Sequence, residues 1–537
     1  MGDCNLSLIQ ARSLELLVAF DEYCRRLGVS WFMGGGTLLG AARHRGFIPW
    51  DDDVDVVMMR ADYDRFVAAV IANPPEGTYW ESMENHPSTP HMHGKLCSKA
   101  TDVIALEHPM LDISHTLGID VFVFDDLPKG AFRQFWHYRV SYACKHLPLL
   151  LWGGASGKFR IAKSILRFML KPFFTLDGIR WAFRHNAVTN CGKTVELACF
   201  CGKYDSEKER FDAAWFDSLV PLDFEGRKFP APVGYREMLA RQYGDNYMTP
   251  VKVQEAHYRV RAEIPSAVDF SLCVATCGRV AELGRFFESL ARQKGENSFE
   301  VIVVDQNGDD RLKELVSQYS RKFKVVWLRQ EVPNVSRARN AAMEAAKGRY
   351  VAFPDDDCVY ADDALAQARA AFETRVQMDG FIADAKARKS CMSSRYDVFV
   401  RGETWRMFFR RAEIQAIRFD PAIGPGEGNV VSGGEDTDFA LKAIERGLCL
   451  WREKSVAVVH EGDALAYRNR RRARKYSIAR MELLRRHHMP FWFKIANVCY
   501  PLARIPLESP RHLRYRLAMF RGRLVGLFRS AAAASGG

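Results

Sequence analysis

The chain has 537 residues, of which 48% are hydrophobic and 26% are charged, and its formal net charge is +12. This composition is typical of a folded globular protein with room for several domains, and it excludes a largely disordered chain. Without a signal-peptide pattern or a long apolar stretch, and with thirteen cysteines but no CxxC spacing, the sequence predicts a cytoplasmic protein with reduced thiols.

The first informative stretch is a run of glycines followed by a predicted helix, GGGTLLGAARHRG, which begins at Gly34. Glycine lets the backbone approach a phosphate closely, and the N–H groups at the start of a helix face such an anion. Gly35, Gly36 and Thr37 are therefore candidate contacts to the phosphates of a donor. A glycine-rich turn is weak evidence alone, so this interpretation depends on the acidic residues next along the chain.

Four aspartates come next, in the sequence WDDDVDVVMM at residues 50–59. The hydrophobic residues predict a buried strand, and alternation along it places Asp51, Asp53 and Asp55 on one face. Three carboxylates on one face repel each other unless a cation lies between them, and Mg²⁺ prefers oxygen ligands of this kind. The alternative is a solvated acidic loop. The run GIDVFVFDD predicts a second strand, from which Asp120 would complete the metal site.

Basic residues are interleaved with aromatic and aliphatic ones at residues 132–174. This mixture is typical of a helix that lies in a membrane interface. It also occurs in amphipathic helices that pack on the body of a protein, and the sequence leaves both interpretations open.

The stretch RAEIPSAVDF is a predicted linker, and strands alternate with helices after it, from FSLCVAT to RYVAFPDDD. Such alternation predicts a parallel sheet that is covered on both faces. Ligands bind outside the carboxyl ends of the strands in sheets of this kind. The polar residues predicted to lie there are Thr276, Asp305, Asp355, Asp356 and Asp357.

Further candidate residues lie at two predicted helix starts. Arg339 and Asn340 begin the helix in SRARNAAMEAAKG, and Glu435 and Asp436 follow the glycines of GGEDTDF. Acidic residues at a helix start also act as simple caps, so position alone does not indicate catalysis. His460 is a candidate metal ligand, although a lone histidine at the end of a strand is more often structural.

The C-terminal part repeats the basic and aromatic mixture. Residues 468–488 are rich in arginine, and Phe491, Trp492 and Phe493 follow them. This segment predicts peripheral contact with an anionic membrane, with packing on the protein as the alternative.

The motifs of the first half resemble the LicD family, which includes the fukutin-related proteins and has a nucleotidyltransferase-type fold. The resemblance rests on GGGTLLGAARHRGFIPWDDDVDVV, HGKLCSKATDV, GIDVFVFDDLP and FEGRKFPAPVGYREMLARQYGDNYMTP, which lie within residues 15–255. It implies transfer of phosphocholine, or of a sugar or alditol phosphate, from a CDP-type donor to a glycan hydroxyl.

The same resemblance implies roles for individual residues. Asp51, Asp53 and Asp55 would hold Mg²⁺. Asp120 would bind metal or activate the acceptor hydroxyl, and Lys95 would neutralise a donor phosphate.

The motifs of the second half resemble the family 2 glycosyltransferases of GT-A fold. VVDQNGDD, SRARNAAMEAAKGRYVAFPDDD and GGEDTDF occur in the order typical of that family. The resemblance implies a nucleotide-sugar donor, with Asp305 near the base or ribose and the 355–357 triplet holding ribose and metal. Asp436 would be the general base, and the anomeric carbon would be inverted.

These observations predict an α/β protein with three parts. Residues 1–262 would be a nucleotidyltransferase-like α+β domain, residues 268–465 a GT-A Rossmann-like α/β domain, and residues 466–537 a basic amphipathic helical tail.

We expect a bifunctional transferase of surface-glycan synthesis, for capsule, teichoic-acid-like polymer or lipopolysaccharide. It would need Mg²⁺ or Mn²⁺ at both sites, CDP- and UDP-type donors, and a glycan or lipid-linked glycan acceptor, with no nucleic acid. One alternative is a nucleic-acid nucleotidyltransferase, which the lack of a recognisable RNA-binding module disfavours. Another is a membrane scaffold with decayed sites, which the intact acids disfavour.

Overall fold

The computed structural model describes residues 3–86, 88–105, 113–152, 166–202, 207–251, 257–260, 266–426, 431, 433–460 and 469–528. The chain divides into two compact units, Met1–Arg261 and Ala262–Gly537. The first half of the predicted linker, residues 261–265, lies outside the described residues.

The first unit combines helices with a mixed sheet. Its helices among the described residues are α1 (Asp3–Leu27), α2 (Gly35–His44), α3 (Arg60–Ala72), α4 (Ala131–Trp152), α5 (Leu176–Val188) and α6 (Tyr235–Tyr243). Its strands there are β1 (Phe32–Met33), β2 (Asp55–Met59), β3 (Thr78–Glu81), β4 (Gly94–Ser98), β5 (Val103–Ala105), β6 (Gly118–Asp126), β7 (Glu196–Ala198), β8 (Arg210–Asp212), β9 (Leu219–Phe224), β10 (Arg227–Pro232) and β11 (Tyr258–Val260).

The main sheet of the first unit has the order β1-β2-β6-β4-β3, with β7 on β6 and β8 on β7. Strand β2 runs parallel to β6, whereas β4 runs antiparallel to it. Helix α1 packs on this sheet through a stripe of buried residues, and the ring of Phe20 lies 5.2 Å from Trp31 and 5.3 Å from Phe66. The sheet thus gives a rigid base for the side chains at the start of β2 and β6.

The second unit contains a larger sheet, and its strands alternate with helices as predicted. Its helices among the described residues are α7 (Val280–Ala291), α8 (Lys313–Tyr319), α9 (Val335–Ala345), α10 (Ala364–Thr374), α11 (Arg395–Arg401), α12 (Arg411–Ile414), α13 (Glu435–Glu445), α14 (Arg470–Arg486), α15 (Phe491–Arg504) and α16 (Leu513–Phe528). Its strands there are β12 (Phe270–Thr276), β13 (Phe299–Asp305), β14 (Lys324–Arg329), β15 (Tyr350–Ala352), β16 (Cys358–Tyr360), β17 (Gly380–Ala383), β18 (Cys391–Met392), β19 (Met407–Arg410), β20 (Leu450–Glu453) and β21 (Val458–His460).

The eight-stranded sheet of the second unit has the order β14-β13-β12-β15-β19-β17-β20-β18. The first four strands of that order are parallel, and β19 is antiparallel to both of its neighbours. Alternate residues of β13 enter two different cores, Ile302 and Val304 on one face and Val301 and Val303 on the other. Burial on both faces explains the continuous hydrophobic runs of these strands, and the predicted α/β class is confirmed.

The C-terminal helices belong to this second unit. Helix α14 packs against α16, where a Cβ on Gly522 would lie 2.6 Å from the carbonyl oxygen of Arg474. His487, at the end of α14, is buried and lies 3.0 Å from Asp438 and 2.9 Å from Glu445, both on α13. The arginine-rich helix therefore covers the core of the unit with one face.

Of the aromatic trio after this helix, only two members are exposed. Phe491 and Trp492 are 72% and 54% exposed, whereas Phe493 is 9% exposed and packs against Tyr396 and Phe399. The prediction that all three face a membrane is wrong for Phe493. Among the described helices, none is both long and apolar enough to cross a bilayer.

Candidate active sites

In the first unit, two aspartates and a lysine lie side by side on three neighbouring strands. Asp55 on β2 pairs with Asp120 on β6, and Asp120 pairs in turn with Lys95 on β4. Strand β2 begins at Asp55, so Asp51 and Asp53 precede the strand and do not lie on it as predicted. The backbone nevertheless brings them next to Asp55, because all three line one cavity.

The glycine turn lies directly against these acids. The Gly34 N–H donates to the carbonyl of Asp55 (3.0 Å), and Gly35 has a positive φ of 47°. A Cβ on Gly35 would lie 2.2 Å from Asp55 Oδ2, and one on Gly36 would lie 2.6 Å from Asp51 Oδ2. Glycine is therefore required here because a side chain would collide with the carboxylates.

The carboxylates of Asp51, Asp53 and Asp55 are partly withdrawn from water and close together. Burial, followed by the charge of Asp53, raises the pKa of Asp51 to about 8. Burial, followed by the charges of Asp53 and Asp120, raises the pKa of Asp55 well above its ordinary value. Acids that are costly to ionise together are a set that a divalent cation stabilises, so these residues fit Mg²⁺ or Mn²⁺.

Asp120 has a different environment. Burial alone would raise its pKa, but Lys95 Nζ at 3.1 Å and His93 Nε2 at 3.6 Å lower the pKa well below the ordinary range. Lys95 also lies 5.6 Å from the centre of the Tyr258 ring. Asp120 is thus an ionised carboxylate at neutral pH, paired with a cation that faces the same cavity.

Asp52 and His257 form a contact that was not predicted from the sequence. The carboxylate of Asp52 is buried and accepts the backbone N–H groups of His257 (2.9 Å) and Tyr258 (3.0 Å). Its Oδ1 lies 2.8 Å from Nδ1 of the His257 ring, and ligand atoms of Asp52, Asp53 and His257 lie within 4.8 Å of one another. His257 is therefore a further candidate metal ligand. No local pattern links the pair, which is 205 positions apart.

The acids of the first unit open into a cavity of about 630 Å³. Its wall includes the glycine turn, the acids and Lys95, together with aromatic residues that were not predicted to belong to the site. These aromatic residues are Trp50, Phe122, Phe124, Tyr243, Tyr247 and Tyr258. The volume and the mixed lining are typical of a small-molecule site.

In the second unit the predicted polar residues gather at the carboxyl ends of β12, β13 and β15. Thr276 at the end of β12 is paired in register with Asp305 at the end of β13. The hydroxyl of Thr276 donates to Asp356 (2.7 Å), and Arg279 lies 2.9 Å from Asp356 and 2.8 Å from Asp357. Arg279 was not predicted, and it anchors the acidic loop.

His460 meets the acidic loop because β21 pairs with β16, which places His460 opposite Cys358. Its Nε2 lies 3.0 Å from Asp357 and 3.5 Å from Asp355, and the three ligand atoms lie within 4.8 Å of one another. Hydrogen bonds with Asp355 and Asp357 raise the pKa of His460 to about 10. Because a metal-bound histidine must be neutral, a proton and a divalent cation are alternatives at this cluster, and the donor set fits the cation.

Arg339 connects the acidic loop to the start of α13. Its guanidinium is buried and lies 2.9 Å from Asp355, 2.7 Å from Asp436 and 3.4 Å from Glu435. The hydroxyl of Thr404 donates to the same oxygen of Asp436 (2.9 Å). Burial, followed by the charge of Asp436, raises the pKa of Glu435 to about 7. Arg339 therefore holds these carboxylates together, and its predicted contact with the donor stays a prediction.

Two other predicted donor contacts are used inside the protein. Asp305 is fully buried and accepts hydrogen bonds from Asn307 Nδ2 (2.7 Å) and Trp327 Nε1 (3.1 Å). Asn340 exchanges two hydrogen bonds with the backbone of Phe419 (2.8 and 2.9 Å). Both residues order the walls of the site. The predicted position of Asp305 near the base or ribose, and the predicted donor contact of Asn340, stay predictions.

Comparison with known families agrees with this division into two sites. Residues 28–137 match the family described as LicD/FKTN/FKRP, nucleotidyltransferase domain, and residues 271–418 match Glycosyl transferase family 2. The chain carries a LicD domain and a family 2 glycosyltransferase domain. It is therefore a transferase with two transferase domains, as predicted.

Named relatives cover each half. The LicD half is similar to the lipopolysaccharide cholinephosphotransferase LicD of Haemophilus influenzae, with 28% identity over 269 residues that make up 47% of this chain and 95% of the relative. A second part of the chain is similar to the putative glycosyltransferase EpsH of Bacillus subtilis, with 29% identity over 170 residues that make up 28% of this chain and 48% of the relative. The second match thus spans about half of EpsH.

Among solved structures, TarS 1–349 of S. aureus in complex with UDP-GlcNAc covers 49% of this chain and 93% of its own length, with 16% identity and a TM-score of 0.35. The mannosyltransferase PcManGT of Pyrobaculum calidifontis, in complex with GDP-Man and Mn²⁺, covers 51% of this chain and 80% of its own length, with 15% identity and a TM-score of 0.33. The fold described here rests on strand order and register.

Thr37 lies within the LicD domain but behind the acids. Its side chain is buried, and its hydroxyl accepts the N–H of Asp55 (2.9 Å). Thr37 therefore fixes the first residue of β2, and the predicted contact between Thr37 and the donor phosphates stays a prediction. Gly35 and Gly36 do line the cavity.

We expect Gly35→Ala to abolish the activity of the LicD domain while the protein stays folded. The new Cβ would lie 2.2 Å from Asp55 Oδ2 and would displace that carboxylate. The matched control is Gly226→Ala, because Gly226 also has a positive φ (73°) but has no atom within 4 Å of an added Cβ. Both variants should lose about 1–2 kcal/mol of stability from backbone strain. Equal LicD-domain activity in the two variants, at similar melting temperatures, would contradict the close packing.

Proposed function

We propose that the LicD domain transfers a phosphorylated group from a CDP- or UDP-type donor to a glycan hydroxyl in surface-glycan synthesis. The group is phosphocholine or a sugar or alditol phosphate. The observation that carries this proposal is the cavity in which mutually repelling aspartates face a lysine and a glycine turn. The relative from Haemophilus influenzae, named a lipopolysaccharide cholinephosphotransferase, supports the choice of chemistry.

The residues of this cavity have separate roles in the proposal. Asp51, Asp53 and Asp55 hold a divalent cation, with Asp120 as a further ligand and His257 as a candidate. A bound cation would supply charge neutralisation at the donor phosphates and would lower the pKa of the acceptor hydroxyl, whose proton a neighbouring carboxylate would accept. Lys95 binds a donor phosphate, and Gly35 and Gly36 let that phosphate approach the backbone of α2. Transfer of this kind depends mainly on positioning and charge neutralisation, so no serine or cysteine nucleophile is needed.

We propose that the glycosyltransferase domain transfers a sugar from a nucleotide-sugar with inversion at the anomeric carbon. Asp355, Asp357 and His460 would hold a divalent cation, which would supply charge neutralisation at the donor diphosphate. Asp436 accepts the proton of the acceptor hydroxyl, and Arg339 and Thr404 fix its carboxylate for that task. Glu435, Thr276, Asp356, Asp305 and Asn340 hold these groups in place.

The experiment that tests both proposals is a donor screen on the purified full-length chain. Transfer of a phosphorylated group from a nucleoside diphosphate donor releases a nucleoside monophosphate, whereas sugar transfer releases a nucleoside diphosphate. CDP- and UDP-linked donors are incubated with Mg²⁺ or Mn²⁺ and a glycan acceptor, and CMP, UMP and UDP are measured. Absence of monophosphate release from every donor would contradict the first proposal, and absence of diphosphate release the second.

We expect chelation with EDTA to stop both reactions and added Mg²⁺ or Mn²⁺ to restore them. In the LicD domain the carboxylates of the acid cluster repel each other, and in the glycosyltransferase domain the acids are paired with a protonated histidine. Each site therefore needs a metal cation in order to bind an anionic donor. Monophosphate and diphosphate release are followed during metal titration. Activity at either site that survives thorough chelation would remove the metal from that site.

We also propose that the protein works on the cytoplasmic face of a membrane as a peripheral protein, where a lipid-linked acceptor would be concentrated. Phe491 and Trp492, after the basic helix α14, are among the exposed aromatic residues of this tail, together with Tyr476, Tyr500 and Phe528. A chain shortened to Gly462 would not test membrane binding cleanly, because it would also remove Met481 and Leu484, which belong to the hydrophobic core of the second unit. Substitution of Phe491 and Trp492 by serine is the cleaner change.

A further inference from the structure

The first unit contains a long segment without a single acidic residue. From Leu127 to Leu176 the sequence has no aspartate or glutamate. The same stretch has nine basic residues: Lys129, Arg133, Arg139, Lys145, Lys158, Arg160, Lys163, Arg167 and Lys171. The segment thus concentrates positive charge within a domain whose cavity is acidic.

Helix α4, which lies in this segment, exposes aromatic side chains on its outer face. Its buried residues are Ser141, Cys144, Pro148 and Leu151, at spacings of three or four positions along one face. Phe132 is 76% exposed and Trp136 is 52% exposed, and Phe135 and Tyr142 are exposed as well. An outer helix face normally carries polar residues, so the exposed aromatic side chains of α4 depart from the expected pattern.

Aromatic residues after α4 and on α5 are exposed as well. Phe168 and Phe173 are 83% and 82% exposed, and Trp181 on α5 is 68% exposed. The two helices are tied together, because Asn186 of α5 donates to the carbonyl of His137 (3.0 Å) and to the hydroxyl of Ser141 (2.9 Å). We call the exposed face of α4, residues 166–174 and α5 the α4 surface.

The basic residues of the α4 surface lie beside its aromatic rings. The Arg139 guanidinium lies 5.1 Å from the centre of the Phe135 ring, whose edge faces Trp136 at 5.6 Å. Arg133 and Arg139 are both exposed. Aromatic rings at headgroup depth with arginines beside them are the arrangement of an interfacial helix.

We propose that the α4 surface docks on a bilayer that contains anionic lipid. An exposed aromatic patch of this kind marks an interaction surface. The positive charge of the surrounding residues indicates which kind of partner it binds. A second copy of the chain is disfavoured, because a twofold interface would place the same basic surface, which has Asp177 as the one acid in α4, residues 166–174 and α5, against itself. An anionic bilayer offers the opposite charge and an apolar interior for the rings. The proposal rests on this surface alone and is independent of the chemistry of either active site.

The test is co-sedimentation of the full-length protein with phosphatidylcholine vesicles, with and without phosphatidylglycerol. Two double variants probe the surface: Arg133→Gln with Arg139→Gln, and Phe132→Ser with Trp136→Ser. The control is Arg227→Gln with Lys228→Gln, which removes the same charge from an exposed strand of the same unit. A fourth variant, Phe491→Ser with Trp492→Ser, tests the C-terminal helices as the source of binding.

We expect the arginine variant to bind anionic vesicles about 30-fold more weakly than the parent protein. The aromatic variant should also lose binding, the control should match the parent, and added salt should weaken the binding of the parent. All variants should keep the parent circular dichroism spectrum and nucleotide release in the absence of vesicles.

Three results would overturn the proposal. The α4-surface variants could sediment with anionic vesicles as well as the parent does. Only the Phe491 and Trp492 variant could lose binding, which would assign docking to the C-terminal helices. The parent could instead form a dimer that the α4-surface variants abolish, with no vesicle binding, which would make the surface a contact between copies.

Discussion

Asp436→Asn should lower sugar transfer by about 10²–10⁴-fold, which is the range expected for loss of a positioned general base. Asparagine has nearly the same shape, and its carbonyl oxygen still accepts hydrogen bonds from Arg339 and Thr404, so we expect the domain to stay folded. Nucleoside diphosphate release measures the loss. Nucleoside monophosphate release in the same reaction should remain at the parent level, because the acids of the LicD domain lie in a separate compact unit.

The control for this variant is Asp53→Ala, the corresponding substitution in the LicD domain. If Asp436→Asn silenced both activities in a folded protein, the two sites would not be independent. If it left diphosphate release unchanged, another group would be the base, and Glu435, the neighbouring acid in the same helical turn, would be the next residue to replace.

Asp53→Ala should lower phosphate-group transfer by about 10³-fold, since loss of a metal ligand removes several kcal/mol of charge stabilisation. It should leave sugar transfer unchanged. Burial raises the pKa of Asp53, so its ionised form opposes folding at neutral pH. We therefore expect this inactive variant to melt at the same temperature as the parent in EDTA, or at a higher one.

We expect Asp52→Asn to have a different effect on the melting temperature in EDTA from that of Asp53→Ala. The Asp52 carboxylate is buried and accepts N–H groups of His257 and Tyr258, so the substitution should lower the melting temperature in EDTA. Thermal unfolding with and without Mg²⁺ distinguishes the two aspartates. A lower melting temperature for Asp53→Ala in EDTA would mean that Asp53 is structural and not held under electrostatic strain.

The parts of the fold that depend on local pattern were predictable from sequence. The hydrophobic runs that became β12, β13 and β14, separated by amphipathic helices, predict a parallel sheet because each run is buried on both faces. The antiparallel insertion of β19 was not predictable, because its four residues look like any short apolar run. Its place in the sheet depends on pairing with distant strands.

The candidate sites show the same limit. Asp51, Asp53 and Asp55 were found because they are close in sequence, although the strand begins only at Asp55. Asp52 and His257 were not connected, since they meet only after the chain has folded. Arg339 was noticed, but its burial against Asp355 and Asp436 was not predicted, because that burial depends on how α9 and α13 approach the end of β15.

The contact of His487 with Asp438 determines where a separately expressed fragment of the second unit must end. Asp438 lies in the first turn of α13, which also carries the proposed base. A gene fusion that ended before α14 would remove one of the hydrogen bonds of the buried Asp438 carboxylate, whose other oxygen lies 2.6 Å from Lys442, at a cost of about 1–3 kcal/mol. It would also uncover apolar core, and net stabilities are only about 5–15 kcal/mol. The smallest transplantable sugar transferase therefore extends to the end of α16, well beyond the residues that match the family.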